Sequence, residues 1–153
     1  MEESVIKRIL PHNLEAEQSV IGSMLMDREA ITIASEQIMG DDFYSKQYGI
    51  LFDTMVELND SGKPVDLVTL QNRLKEKGVP PEISSLEYIK DIMSAPITSA
   101  NIKHYAKIVA DKSMLRKVIR AVEEIANDCY AQNDSVDVLM DQTEKKVFDI
   151  TKE

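Results

Sequence analysis

The sequence predicts an all-α protein, and three observations lead there. Leu, Ile, Val, Met, Glu and Lys dominate its 153 residues, with only five glycines and five prolines to interrupt them, a mixture that favours helices. Cap-forming residues repeatedly stand just ahead of apolar residues at helical spacing. Runs of Val, Thr and aromatic residues of the kind that build strands are missing. An apolar content of 43% is enough for a real core, and the length suits one domain, or one domain with an appendage.

Residues 1–10 read as a loosely held tail. Asn13 is placed to cap a first helix, with Glu15 and Glu17 in or near its first turn, where acidic groups complement the helix dipole. Leu14, Val20, Ile21, Met24 and Leu25 can share one face of it. Asp27 caps a second helix through Ile31, Ala34 and Ile38 to Gly40. The run Asp41–Ser45 is a turn, and Ser45 caps a third helix with Tyr48, Leu51, Phe52, Met55, Val56 and Leu58 on its apolar side. Turn chemistry over 59–64 stops that helix. Asp66 caps a fourth, carrying Leu67, Leu70 and Leu74, and Gly78 ends it.

Val79-Pro80-Pro81 reads as a stiff connector. Ser84 and Glu87 have capping-box spacing for a fifth helix with Tyr88, Ile89, Ile92 and Met93. Ala95-Pro96 closes it. Thr98 or Ser99 opens a sixth, containing Ile102, Tyr105, Ala106, Ile108 and Val109. The pattern changes near Lys112. Leu115, Val122 and Cys129 fall seven apart, with Val118 and Ile125 at the interleaved heptad positions. After a polar break at Gln132-Asn133-Asp134, Ser135 caps a last helix with Val136, Met140, Thr143, Val147 and Ile150 as a matching stripe. Residues 111–153 therefore read as a helical hairpin following a helical region of residues 1–110. Two amphipathic helices joined by a short turn leave an apolar flank that must meet the first region or another chain.

The net charge is −9, and neither residues 1–110 nor 111–153 carries a basic excess. Nucleic-acid binding depends on Lys and Arg displacing counterions from phosphates, so strong DNA binding by this chain alone is not expected. Residues 1–10 lack the apolar run of a signal peptide. No stretch of about 18 apolar residues is present to span a membrane. A single cysteine, Cys129, excludes an internal disulfide. Its place in an apolar stripe predicts a small buried residue rather than a reactive thiol, and the cytoplasm fits.

Catalytic chemistry finds little support. His12 and His104 are far apart, and neither has a second ligand at metal-binding spacing. Glu15 with Glu17 and Asp41 with Asp42 are the tempting carboxylate pairs, and both are better read as helix N-terminal charges. No G-x-S-x-G elbow occurs, nor any phosphate loop of the form G-x-x-x-x-G-K-S/T. No catalytic, cofactor-binding or metal-binding residue is therefore assigned. Among the eight methionines, Met24, Met55 and Met93 suit core gaps. Met114 and Met140 suit either hairpin packing or an adaptable contact surface. Arg116, Lys117 and Arg120 form a short basic patch. It reads either as a solvated face paired with Glu123, Glu124 or Asp128, or as a contact for an acidic partner.

Two segments carry a family likeness, 11–22 (Pro-His-Asn-Leu-Glu-Ala-Glu-Gln-Ser-Val-Ile-Gly) and 63–70 (Lys-Pro-Val-Asp-Leu-Val-Thr-Leu). With them go Asp42-Phe43-Tyr44, Ile50-Leu51-Phe52, Asn101, Tyr105 to Val109, Lys112 to Arg116 and Val147 to Ile150. In this order the chain resembles the N-terminal domain of the bacterial replicative hexameric DNA helicase, the DnaB family. Ser84-Ser85 stands where the family often has a Gly-Gly turn, so the turn before the fifth helix is expected to differ. The resemblance implies a compact head of about six helices followed by a protruding helical hairpin. It implies a non-catalytic collar: hairpins of two subunits pair, three pairs form a ring above the motor, and primase docks on it. Carried over by position, Met114, Val118, Val122, Ile125, Met140 and Val147 are dimer candidates. Tyr88, Arg116, Ile119, Arg120 and Ile125 are candidates for primase contact. The family's ATPase motor, with its ATP and magnesium, is absent from this chain, and a helicase loader is a further candidate partner. The competing readings are a stand-alone helical protein-interaction regulator and, last, a small enzyme using carboxylates.

Overall fold

A computed structural model describes residues 8–94 and 99–152, and among these residues the secondary structure is helical without strands. Eight α-helices follow in order: α1 (Leu14–Met26), α2 (Arg28–Ser35), α3 (Lys46–Asp60), α4 (Leu67–Glu76), α5 (Pro81–Ser84), α6 (Leu86–Met93), α7 (Ile102–Ala131) and α8 (Val136–Thr151). Short 3-10 turns at Gly40–Asp42 and Ser99–Asn101 precede α3 and α7. The described residues form two compact units, one of residues 12–113 and one of residues 8–11 with 114–152.

The expected caps are made. Asn13, Asp27, Ser45, Asp66 and Ser135 each accept a hydrogen bond from a backbone amide in the first turn of the helix they precede, satisfying donors a helix start would leave orphaned. The Thr69 amide at Asp66 also holds that carboxyl below the ordinary aspartate range. Gly62 and Gly78, after α3 and α4, have φ of +72° and +75°, a backbone that glycine adopts without strain.

The fifth helix departs from expectation. Ser85, not Ser84, caps it, accepting from the Tyr88 amide at 3.2 Å. Ser84 instead ends α5 and is buried. The supposed Pro-Pro connector is this one-turn helix, with Pro81 at its first position, where the missing N–H matters least. The sixth expected helix and the first arm of the hairpin are one continuous helix, α7, because 102–131 contains neither glycine nor proline. The expectations for Ala95-Pro96 and Thr98, and most of that for the tail, lie outside the described residues.

In the 12–113 unit, Val20, Ile21 and Met24 of α1 pack with Ile31 and Ala34 of α2, Leu51, Phe52 and Met55 of α3, Leu70 and Leu74 of α4, and Ile89 of α6. Ile102, Ala106 and Val109 from the start of α7 complete this core. Two residues expected inside, Leu14 and Met93, are 45% and 37% exposed. Phe43 turns inward, its ring 5.2 Å from that of Phe52.

Glu17 is 1% exposed. Rather than serving α1 as a dipole charge, its carboxylate accepts the amides of Tyr44 and Ser45 at 2.8 and 3.0 Å. Asp42, expected as a helix-end charge, is also buried. It accepts from the Met39 amide at 2.9 Å and from the Ser113 hydroxyl at 2.7 Å. Gly40 donates its amide to Asp53 at 2.8 Å. A Cβ on Gly49 would lie 2.5 Å from the Gly40 carbonyl oxygen, so only glycine allows this approach.

Arg28 joins α2 to the end of α3 by donating to the Asn59 side chain and the Lys63 carbonyl at 2.7 and 2.8 Å. Arg73 of α4 grips Glu57 of α3 at 2.7 Å. The Arg73 hydrogen bond holds the Glu57 carboxyl below its usual range.

Two substitutions test this core. Glu17→Ala leaves two part-buried amides without their acceptor and is expected to lower unfolding free energy by about 2–3 kcal/mol, since hydrogen bonds to a charged group exceed the neutral average. Gly49→Ala forces backbone apart and is expected to lower it by about 1–3 kcal/mol. Denaturant unfolding of the full chain measures both, and unchanged midpoints would contradict the packing described.

Candidate protein-interaction surface

The second unit is built on the later part of α7 and on α8. The turn between them bends at Gln132, whose φ is +51°. Lys146 of α8 donates to Asp128 of α7 at 2.7 Å and pairs with Glu124 at 3.7 Å. These pairings, with Cys129 facing Leu139, Met140 and Thr143 across one groove, make the two helices antiparallel. Ile125 and Asp128 on α7, with Leu139, Thr143, Lys146 and Ile150 on α8, are half-buried and form the seam. No residue of α8 is fully buried.

Successive helical residues turn by about 100°, which locates the rest. Roughly a quarter-turn from the seam, α7 presents Leu115, Val122, Ala126 and Cys129. The same rotation on α8 reaches Val136, Met140 and Val147. The displacement has the same sense along each chain, and the helices run in opposite directions, so both stripes face one side. That side is open: Leu115 is 49% exposed, Val122 55%, Val136 73%, Met140 54% and Val147 47%. Towards the turn the stripes border a groove of about 390 Å³. A contiguous apolar face of this kind on one chain marks an interaction surface.

The dimer candidates divide accordingly. Val122, Met140 and Val147 lie on the open face, and Val118, 37% exposed, lies between face and seam. Met114 and Ile125 are half-buried on the seam side. Cys129, expected to be buried, is exposed: its stripe points away from the seam that covers Ile125. Among the primase candidates, Ile119 is half-buried at the edge of the open face, and Arg120 is exposed on another side of α7. Arg116 is only 3% exposed, and its guanidinium donates to the Pro11 carbonyl at 2.8 Å. This bond ties the segment before α1 to α7. Glu124 and Asp128, expected to pair along α7, are engaged by Lys146 across the hairpin.

Tyr88 belongs to the other unit, half-buried on α6, and burial pushes its phenol above the ordinary range. His12 stacks on Tyr44, ring centroids 4.0 Å apart and nearly parallel. Among the described residues no group of three or more His, Cys, Asp or Glu is arranged to hold a metal ion, and no helix is long and apolar enough to cross a membrane. The sequence reading missed Leu115, Cys129 and Val136 as surface residues, although the seven-residue spacing already held the first two. It also missed Tyr130 and Phe148, 84% and 63% exposed, for which periodicity offers no signal.

The comparisons with known proteins agree with one another. A family model described as "DnaB-like helicase N terminal domain" matches residues 9–111. The replicative DNA helicase DnaC of Bacillus subtilis (strain 168) is 39% identical over 145 residues, covering 95% of this chain and 32% of that protein. The replicative DNA helicase DnaB of Geobacillus stearothermophilus is 38% identical over 152 residues, covering 99% of this chain and 34% of that protein. The chain thus spans about a third of the length of these curated relatives. The crystal structure of the N-terminal domain of DnaB helicase from Mycobacterium tuberculosis superposes with a TM-score of 0.87 at 31% identity, over 92% of this chain and 99% of that one.

The hairpin's ionic link has a pH signature. The hydrogen bond to Asp128 raises the Lys146 pKa, with burial opposing. A raised pKa means the link's contribution is complete below the ordinary lysine range and fades only as pH climbs through the higher folded value. Side-chain NMR titration of Lys146 is expected to give a midpoint above the usual ~10.4, and a midpoint at or below it would deny the link.

Proposed function

Because the chain belongs to the family of DnaB-like helicase N-terminal domains, we propose that it is the non-catalytic collar of a replicative DNA helicase. In this reading it works in the bacterial cytoplasm at the replication fork, pairing subunits within the hexamer and docking primase. The observation that carries the proposal is the one-sided apolar face of the hairpin, where Leu115, Val122, Met140 and Val147 are exposed together. Burying that face against the same face of a second copy gives a two-fold contact, self-complementary by construction. Apolar burial at such a contact contributes about 25 cal/mol per Å² removed from water.

Three such pairs order six chains into a ring. The ring acts by geometry: a docked primase is held near the strand leaving the motor, at an effective concentration set by tethering rather than by new chemistry. Primase contact is assigned to Tyr88, Arg116, Ile119, Arg120 and Ile125. A helicase loader is a further partner of the same collar. ATP and magnesium belong to the parent's motor, whose phosphate loop has no counterpart among these 153 residues. DNA is likewise left to the rest of the parent, since the net charge of −9 opposes phosphate binding.

Sedimentation equilibrium over a concentration series tests the pairing. Reversible association is expected, and Val122→Glu should abolish it while circular dichroism stays unchanged. A strict monomer at high concentration, or association that survives Val122→Glu, would overturn this reading.

A further inference from the structure

The hairpin is charged unevenly from end to end. At the turn, residues 127–142 hold four aspartates and no lysine or arginine. At the far end, residues 114–120 of α7 hold Arg116, Lys117 and Arg120 and no acid, and Lys152 closes α8. Asp128 is engaged by Lys146, and Arg116 is buried on Pro11. Asp134, Asp137 and Asp141 at one end, and Lys117, Arg120 and Lys152 at the other, are exposed. The shape is uneven too. The groove of about 390 Å³ lies at the turn, lined by Cys129, Leu139 and Met140 among others. Leu115 and Val118, 49% and 37% exposed, stand towards the far end. Lys146 reaches both Glu124 and Asp128, so Thr151, five residues on, is about level with Ala121. Leu115 therefore stands roughly 9 Å beyond the end of α8 at 1.5 Å per residue.

We propose that the open face takes a second copy of the hairpin in antiparallel orientation, the acidic turn and groove of one copy covered by the basic, Leu115-bearing end of the other. The inference rests on the pairing part of the proposed function and adds the orientation to it.

Two orientations allow a two-fold contact between such faces. With the axis along the hairpin, turn lies on turn and α7 lies over the partner's α8. Each acidic end then meets its own copy, and like charges brought together repel. Each groove faces the same groove, leaving a void whose lining lacks partner atoms. Leu115, beyond the end of α8, finds no α8 across from it. With the axis across the hairpin at the level of Val122, α7 lies over α7 and all three faults disappear. Acidic end meets basic end, as complementary potentials require. Leu115 and Cys129 each lie seven residues from Val122, about 10 Å to either side at 1.5 Å per residue. Leu115 of each copy thus arrives at the level of Cys129, where the groove is, and Val122 meets its own copy on the axis.

The test uses the full chain carrying Cys129→Ser and Asn133→Cys, which puts one spin label per copy at the exposed turn, outside the groove lining. The distance between labels is read at a concentration where sedimentation shows the pair. Antiparallel pairing places the labels about 30 Å apart, since Asn133 is eleven residues of 1.5 Å rise from Val122 in each copy. Turn-on-turn pairing places them within about 12 Å, one helix diameter. Separately, Asp134→Lys with Asp141→Lys should weaken the antiparallel pair about five-fold, the upper range for exposed charges, and would tighten a turn-on-turn pair. A short label distance, or tightening by the two lysines, overturns the orientation and leaves the pairing reading standing. A strict monomer at high concentration overturns both and assigns the face to a different partner. The label distance alone decides if the lysine variant fails to fold, which circular dichroism would show.

Discussion

One buried carboxylate organises the first unit. The backbone leading into α3 is part-buried at Tyr44 and Ser45, and their amides find their acceptor in Glu17. Glu17, delivered by the first turn of α1, accepts both. A carboxylate buried without such partners would carry a desolvation penalty of several kcal/mol, and amides without it would be stranded. Each side therefore requires the other. With that segment pinned, Phe43 turns inward onto Phe52, Ser45 caps α3 and Gly40 settles against Gly49. The same pinning directs Tyr44 and Tyr48 towards the basin they share with Tyr88.

The second unit depends on a different economy. α8 has no fully buried residue, and helices of its length are marginal on their own in water. It relies on the Ser135 cap, the half-buried seam and the Lys146 link to α7. Its open stripe stays in water while the chain is alone. α7 combines both regimes in one uninterrupted helix: Ile102, Ala106 and Val109 are buried in core, while Leu115 and Val122 are exposed.

Local signals were legible and non-local ones were not. Among the described residues, five of the six side-chain caps stand in the sequence where the structure has them, because a cap is a bond between residues two or three apart. The sixth was misplaced by one residue: Ser84 and Ser85 both satisfy the local rule, and the proline-started turn of α5 uses the first. The change of pattern near Lys112 looked like a boundary between helices. It marks a change in which face of α7 is covered, and apolar periodicity records the face rather than the continuity. The hairpin stripe was read correctly as periodic, yet Cys129 was assigned to the interior, because periodicity does not say which side of a stripe the second helix takes.

By itself the sequence determined the helical class, the start and stop of most helices and the existence of an apolar flank after residue 111. All of these follow from propensity, capping and spacing within a few turns of chain. Only the tertiary structure decided that Glu17 and Asp42 are interior ligands for backbone rather than surface charges. It also decided that Arg116 is buried against Pro11, and that tyrosines 44, 48 and 88 line one basin. Each of these depends on groups tens of residues apart, brought together because buried polar atoms must find partners wherever the packed helices happen to offer them.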